Sequence, residues 1–242
     1  MTMFIKKSVI EDRGLSDEAF AVYCALRTIV TADKKEYFIS YNYIADILYC
    51  RLPARREVEA IKKGFTELVN NEEIAVLYAY SKAEYRVNLE KLYYQQGSGY
   101  FSDITHEEMR QILAIDTTVN KYKLLRYYAC MVSTFNRSNS LDVKYRGKIG
   151  GMSYECFTEL LGLSKPTICK YNEILMESNI LYVINGEYYN YIENGVKQVR
   201  QYSNTYSRYK DKDIATEFNK RMRGSKEESA EGSFLLVKNN DN

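Results

Sequence analysis

The sequence predicts an α+β, mainly α fold in which one plan, three helices followed by a β-hairpin, occurs twice. Three observations carry that prediction. Apolar residues recur at helical spacing in both halves, and each half ends in two short β-prone segments around a turn. Cap, core and proline positions also repeat at a single offset of 113 residues: Ser40/Ser153, Ile44/Phe157, Leu48/Leu161, Pro53/Pro166 and Ile61/Ile174. Duplication and convergence of two independent units account for that offset about equally.

A chain of 242 residues is long enough for two domains. The expected division is a first domain at 1–95, a linker with a short helix at 96–120 and a second domain at 121–195. A basic, partly helical segment at 196–223 and a disordered tail at 224–242 follow.

In the first half, Ser16-Asp17-Glu18-Ala19 is a helix-start signal, and Phe20, Ala21, Cys24 and Ala25 continue at helical spacing over Leu15–Val30. A polar turn leads to an extended piece, Tyr37–Ile39. Ser40 then caps a second helix carrying Ile44, Ile47 and Leu48. Pro53 is expected to open a third helix, with Val58, Ile61, Phe65 and Leu68 facing a core and Arg56, Glu59 and Lys63 opposite. Ile74–Tyr80 and Tyr85–Leu89 flank Ser81–Glu84 as a hairpin.

Between the halves, Tyr94–Gly99 reads as a flexible join, and Thr105–Ala114 as a short helix with Glu107 and Glu108 at its positive end. His106, the one histidine, fits a capping role there.

The second half opens with a helix at Lys121–Phe135, a loop at Asn136–Ser140 and a strand at Leu141–Tyr145. Two further helices, Ser153–Leu161 and Lys165–Ser178, surround Gly162. The second starts with Ser164 as cap and Pro166 in its first turn, where no amide hydrogen is needed. Leu181–Ile184 and Tyr188–Ile192 flank Asn185-Gly186, a pair suited to a tight type I′ turn. Beyond it, Val196–Tyr209 is basic and rich in tyrosine, and Asp213–Met222 places Ile214, Phe218 and Met222 on one stripe.

The helix, glycine turn and capped second helix at 153–178 have the form of a helix-turn-helix, whose second helix lies in the DNA major groove. With the hairpins, the prediction is two winged-helix domains in tandem. The net charge is only +2, but it is unevenly spread. Residues 51–63 hold five basic and two acidic residues, residues 196–223 eight and three, and residues 64–120 four and nine. Cations gather where phosphate contact requires them. The candidates to face DNA are Lys165, Thr167, Cys169, Lys170 and Asn172 in the second half, and Arg51, Arg55, Arg56, Lys62 and Lys63 in the first. Arg200 and Arg208, interleaved with Tyr202, Tyr206 and Tyr209, are further candidates for phosphate contact.

No catalytic residue is assigned. Phosphate-cradling, dinucleotide-binding and nucleophile-elbow motifs are absent from the sequence. A single histidine with five cysteines in no Cys-x-x-Cys pair argues against a metal, and no cofactor is expected. Cys24 and Cys130 read as core residues. No apolar run reaches the roughly 20 residues of a membrane helix, so a cytoplasmic location away from the membrane is expected.

Two winged helices in one short chain, anchored on Leu161-Gly162-Leu163-Ser164-Lys165-Pro166-Thr167-Ile168-Cys169-Lys170 and its weaker upstream echo, resemble the tandem winged-helix replication initiators of plasmids and mobile elements. The resemblance implies binding of repeated origin sequences in double-stranded DNA, recruitment of host replication proteins and, in some members, a homodimer. A transcriptional regulator acting at an operator is the alternative within the same fold. A winged-helix interaction or inhibitor module that binds only protein is the alternative from another class.

Overall fold

A computed structural model describes residues 2–93, 101–135, 142–186, 188–193, 196–201 and 204–228, with the backbone alone for 188–193, 196–201 and 222–228. The fold is α+β and mainly helical, with small antiparallel sheets. The chain divides into two compact units, Met1–Ser133 and Thr134–Asn242.

The first unit starts with β1 (Thr2–Lys6), α1 (Lys7–Glu11) and α2 (Asp17–Arg27). Ser16 caps α2 by accepting the Ala19 amide at 3.2 Å, while Asp17 and Glu18 complement the helix dipole. Next come β2 (Glu36–Ser40), α3 (Tyr41–Tyr49), α4 (Arg55–Asn70), β3 (Ala75–Ala79) and β4 (Glu84–Asn88). Helices α2, α3 and α4 pack on one another. At Gly64 in α4 a Cβ would stand 2.6 Å from the Glu18 carbonyl, so only glycine admits this close approach to α2. The strands form an antiparallel sheet in the order β2–β4–β3, with Tyr37 opposite Val87 and Ile39 opposite Tyr85. Alternation turns Tyr37, Ile39 and Val87 inward and Phe38 outward.

After a 3₁₀ turn at Glu90–Leu92, β5 (Phe101–Thr105), α5 (His106–Ala114) and α6 (Lys121–Ser133) complete the unit. Strand β5 pairs antiparallel with β1, Met3 lying opposite Ile104. Neither strand was expected from the sequence, because each is short and its partner lies about a hundred residues away. The join expected at Tyr94–Gly99 lies outside the described residues.

Helix α6 packs on α1, α2, α5 and β5, so the observed division falls after Ser133 rather than before 121. Burial of every residue from Leu124 to Ser133 accounts for this. Arg126 adds a polar lock: it donates to the Leu15 carbonyl at 2.7 Å, the Asp12 carbonyl at 2.8 Å and the Asp17 carboxylate at 3.2 Å.

The second unit contains β6 (Ile149–Gly151), α7 (Tyr154–Leu161), α8 (Lys165–Glu177), β7 (Leu181–Ile184), β8 (Tyr188–Glu193), β9 (Val196–Gln201), β10 (Thr205–Arg208) and α9 (Lys212–Glu228). The strand expected at Leu141–Tyr145 is instead a turn over its described part. Asp142 accepts the Tyr145 amide through its carbonyl at 2.9 Å and the Lys144 amide through its side chain at 3.4 Å. The extended segment lies further on, at β6. The predicted loop at 136–140 lies outside the described residues.

The hairpin also differs from expectation. Strand β7 pairs with β10, Val183 opposite Tyr206, while β8 pairs with β9, Tyr191 opposite Gln198. Asn185-Gly186 is therefore no tight turn: the chain runs outward through β8 and returns through β9. The Gly186 amide donates to the Asn204 side chain at 2.9 Å, tying the outgoing and returning segments together. The basic tract after Val196 is the returning half of this hairpin. Sheet order is β6–β10–β7, all antiparallel.

Helix α9 closes the unit through an ion pair of Lys144 with Glu217 and edge-to-face packing of Phe218 on Tyr145 at 5.2 Å. It runs to Glu228, past the expected end at Met222, and residues 229–242 lie outside the described set.

Candidate nucleic-acid interface

In the second unit, Gly162 ends α7 in the left-handed conformation at φ 66°, and its amide bonds to the Thr158 carbonyl at 2.9 Å. Two residues on, Ser164 caps α8 by accepting the Thr167 amide at 3.4 Å. Pro166 occupies the first turn of α8. Phe157, Leu163, Ile168, Tyr171, Leu175 and Ile180 form the buried side of this pair. Leu160 and Leu161 at the end of α7 are half-buried.

The exposed side of α8 carries Lys165 and Lys170, with Thr167 and Cys169 half-buried. The Lys165 ammonium stands 5.7 Å from the centre of the Tyr154 ring. Asn172 does not join them. It is only 5% exposed and lies in a buried polar group with Tyr154, Cys169, Asn204 and Tyr206. Within that group the Asn204 amide donates to the Tyr206 hydroxyl at 3.1 Å. Burial pushes the Tyr206 phenol above its ordinary pKa, opposed by its hydrogen bond with Asn204.

Arg208 is likewise turned inward at 7% exposure, its guanidinium 5.7 Å from the Phe135 ring centre. Tyr206 is fully buried against Phe157, and Tyr209 is half-buried beside Lys212. These three do not form the exposed basic and aromatic tract expected from the sequence, because β10 is the central strand between β6 and β7 and is buried along its whole length. Arg200 lies on β9 opposite Tyr189, where only the backbone is described, and Tyr202 lies outside the described residues.

The first unit reaches a similar helix pair by other means. Ser40 caps α3, accepting the Tyr43 amide at 3.1 Å. Cys50 ends α3 in the left-handed conformation at φ 51°, a strained choice for a residue with a Cβ. The connection then runs from Cys50 to Ala54, longer than its counterpart at Gly162–Ser164. Pro53 precedes the cap residue Ala54 rather than opening the helix. Alanine has no side-chain acceptor, and Glu57 supplies the missing anchor.

The Glu57 carboxylate accepts the Ala54 amide at 2.7 Å and binds the Arg51 guanidinium at 2.7 and 2.9 Å. The hydrogen bond from Arg51 is the main cause holding the Glu57 carboxyl below its ordinary pKa, against the opposing effect of burial. Arg51 is thus engaged on the turn. Arg55, Arg56 and Lys62 are exposed on α4, together with Glu59. Lys63 is exposed and 3.5 Å from the Glu18 carboxylate. Leu52, passed over by sequence reasoning, is 92% exposed beside these cations. Its signal is an apolar residue outside any helical or strand period.

His106 donates from Nε2 to the Ile47 carbonyl at 2.8 Å, and Arg110 donates to the same oxygen at 2.9 Å. Both serve the C-terminal end of α3, where positive charge meets orphan carbonyls. Cys24 and Cys130 are buried, as expected, and burial raises the Cys24 thiol pKa. Among the described residues, no group of three or more His, Cys, Asp or Glu is placed to hold a metal. No described helix is long and apolar enough to cross a membrane. Compared with protein-family models, curated proteins and solved structures, the chain matches none.

Proposed function

We propose that each unit is a winged helix and that the protein binds double-stranded DNA sequence-specifically, with α4 and α8 as the reading helices. The observation that carries this reading is the shared order of strand, helix, helix and two strands. In both units the first strand pairs with the returning strand of the hairpin. In each unit the second helix of the pair turns its apolar side inward and leaves cations in solvent: Arg55, Arg56 and Lys62 on α4, Lys165 and Lys170 on α8. Lysine and arginine at such positions bind phosphates and guanine edges.

The role is replication initiation or replisome organisation for a plasmid or other mobile element, with host replication proteins and a second copy of the chain as partners. Selection of bound duplexes from a random pool tests the reading. Enrichment of a defined site containing repeated elements is expected. A pool that stays random after repeated rounds overturns sequence-specific binding, and a single palindrome in place of repeats assigns the protein to transcriptional control.

A further inference from the structure

We propose, resting on the assignment of α4 as a reading helix, that Tyr122, Tyr49 and Arg51 are positioning residues for duplex DNA. They transmit the placement of α6 through the α3–α4 turn to the first turn of α4, and Arg51 serves the turn rather than a phosphate.

The turn from Cys50 to Ala54 does not set its own geometry. Cys50 holds a left-handed φ of 51° that a Cβ disfavours, and Ala54 offers no side-chain acceptor to the amides that open α4. In place of a local device, this unit has an unbroken chain of side-chain contacts.

The chain of contacts starts on α6. The half-buried hydroxyls of Tyr122 and Tyr49, residues 73 apart in sequence, share a hydrogen bond of 2.5 Å. Tyr49 is the last residue of α3, and the Arg51 guanidinium stands over its ring, 5.2 Å from the centre. Arg51 donates to the Leu52 carbonyl at 3.1 Å and to both Glu57 oxygens at 2.7 and 2.9 Å. Glu57 in turn accepts the amide of Ala54, the cap residue of α4, at 2.7 Å. The same end of α3 is gripped from α5, where Arg110 donates to the carbonyls of Asp46 at 2.8 Å and Ile47 at 2.9 Å. Helices α5 and α6 both follow the hairpin. A segment outside the helix pair therefore fixes where α4 begins.

Arg51 differs in this from its neighbours. Its guanidinium is engaged by a carboxylate, a carbonyl and a ring face. Arg55 and Arg56 are exposed and form no ion pair among the described residues. Without the relay, α4 spends part of its time away from the binding direction. Apparent affinity then falls with the fraction of competent molecules, while the phosphates neutralised in the bound state stay the same in number. Loss of an arginine that contacts phosphate lowers the salt slope as well.

The test is salt titration of the full chain, by fluorescence anisotropy, on the labelled duplex that binds tightest in a random pool. Arg51→Lys keeps the charge but neither the paired hydrogen bonds nor the planar stacking. It should weaken binding about fivefold at an unchanged slope, as should Tyr49→Phe and Tyr122→Phe, which keep the rings. The two phenylalanine changes remove one shared hydrogen bond, so the double variant should bind no more weakly than either single variant. Arg56→Ala, by contrast, should reduce the slope by about 1. Thermal melting identifies the variants that are folded at the assay temperature, and in these a purely structural role leaves affinity at the native value. Native affinity in folded Arg51→Lys and Tyr122→Phe, beside a loss in Arg56→Ala, overturns the relay and leaves duplex reading standing. A slope reduced by about 1 in Arg51→Ala makes Arg51 a phosphate contact and also overturns it. Absence of salt-dependent duplex binding by the native chain overturns the assignment of α4, and the relay with it.

Discussion

The two helix pairs, α3–α4 and α7–α8, share an arrangement but hold it by different chemistry. In the second unit the connection is local: Gly162 supplies the left-handed turn, Ser164 the cap and Pro166 the first turn of α8. In the first unit Cys50 takes the left-handed position, and the carboxylate of Glu57 replaces a cap that Ala54 cannot provide. There, packing at a distance supplies the rest, through Gly64 against α2 and Arg126 on α6. The difference teaches that one geometry is reached either by adjacent residues or by tertiary contacts. Only the first of these leaves an obvious trace in sequence.

The largest expected effect tests the tertiary side of that contrast. Arg126→Ala leaves the Asp12 and Leu15 carbonyls and the Asp17 carboxylate without their donor, and denaturant unfolding should show a loss of about 3 kcal/mol. A near-neutral result would mean that α6 is not locked into the first unit.

Asn172→Ala comes next. It removes a member of a buried polar group, so stability should fall by about 1–2 kcal/mol, again read by denaturant unfolding. A folded variant of unchanged stability that loses duplex binding would return Asn172 to the DNA-facing side.

The two left-handed positions should respond in opposite directions. Cys50→Gly relieves a Cβ penalty and should raise stability, whereas Gly162→Ala introduces one and should lower it, each by about 1 kcal/mol. Thermal melting of both variants measures the pair, and changes of the same sign would break the comparison.

The smallest effect concerns pH. Because the folded state holds the Glu57 carboxyl below its ordinary pKa, its contribution is fully present above the unfolded value, about 4.3 for glutamate. It is lost as pH falls through the folded value. Thermal melting across that acid range should show a shallower pH dependence in Glu57→Gln than in the native chain.

Much of the helical plan was legible. Ser16, Ser40, Ser153 and Ser164 cap helices where the sequence places them, because a cap and the following apolar stripe are neighbours along the chain. The hairpin of the second unit was not, since Asn185-Gly186 satisfies a local turn rule that pairing between Val183 and Tyr206 overrides. The β1–β5 ladder was invisible for the same reason. Of the candidate interface, Arg55, Arg56, Lys62, Lys165 and Lys170 are exposed as expected. Asn172 and Arg208 were misjudged because residue type gives no measure of burial, and both are buried polar side chains. The exposed ring of Phe38 carried a readable signal, alternation with buried Tyr37 and Ile39.

Salt titration of duplex binding tests the central claim most directly. For the native chain, the logarithm of affinity should fall linearly with the logarithm of salt, by about 0.9 for each phosphate neutralised. Lys165→Ala on α8 and Arg56→Ala on α4 should each weaken binding and reduce that slope by about 1. Affinity that is indifferent to salt, or unchanged in both variants, would contradict the assignment of these two helices to DNA.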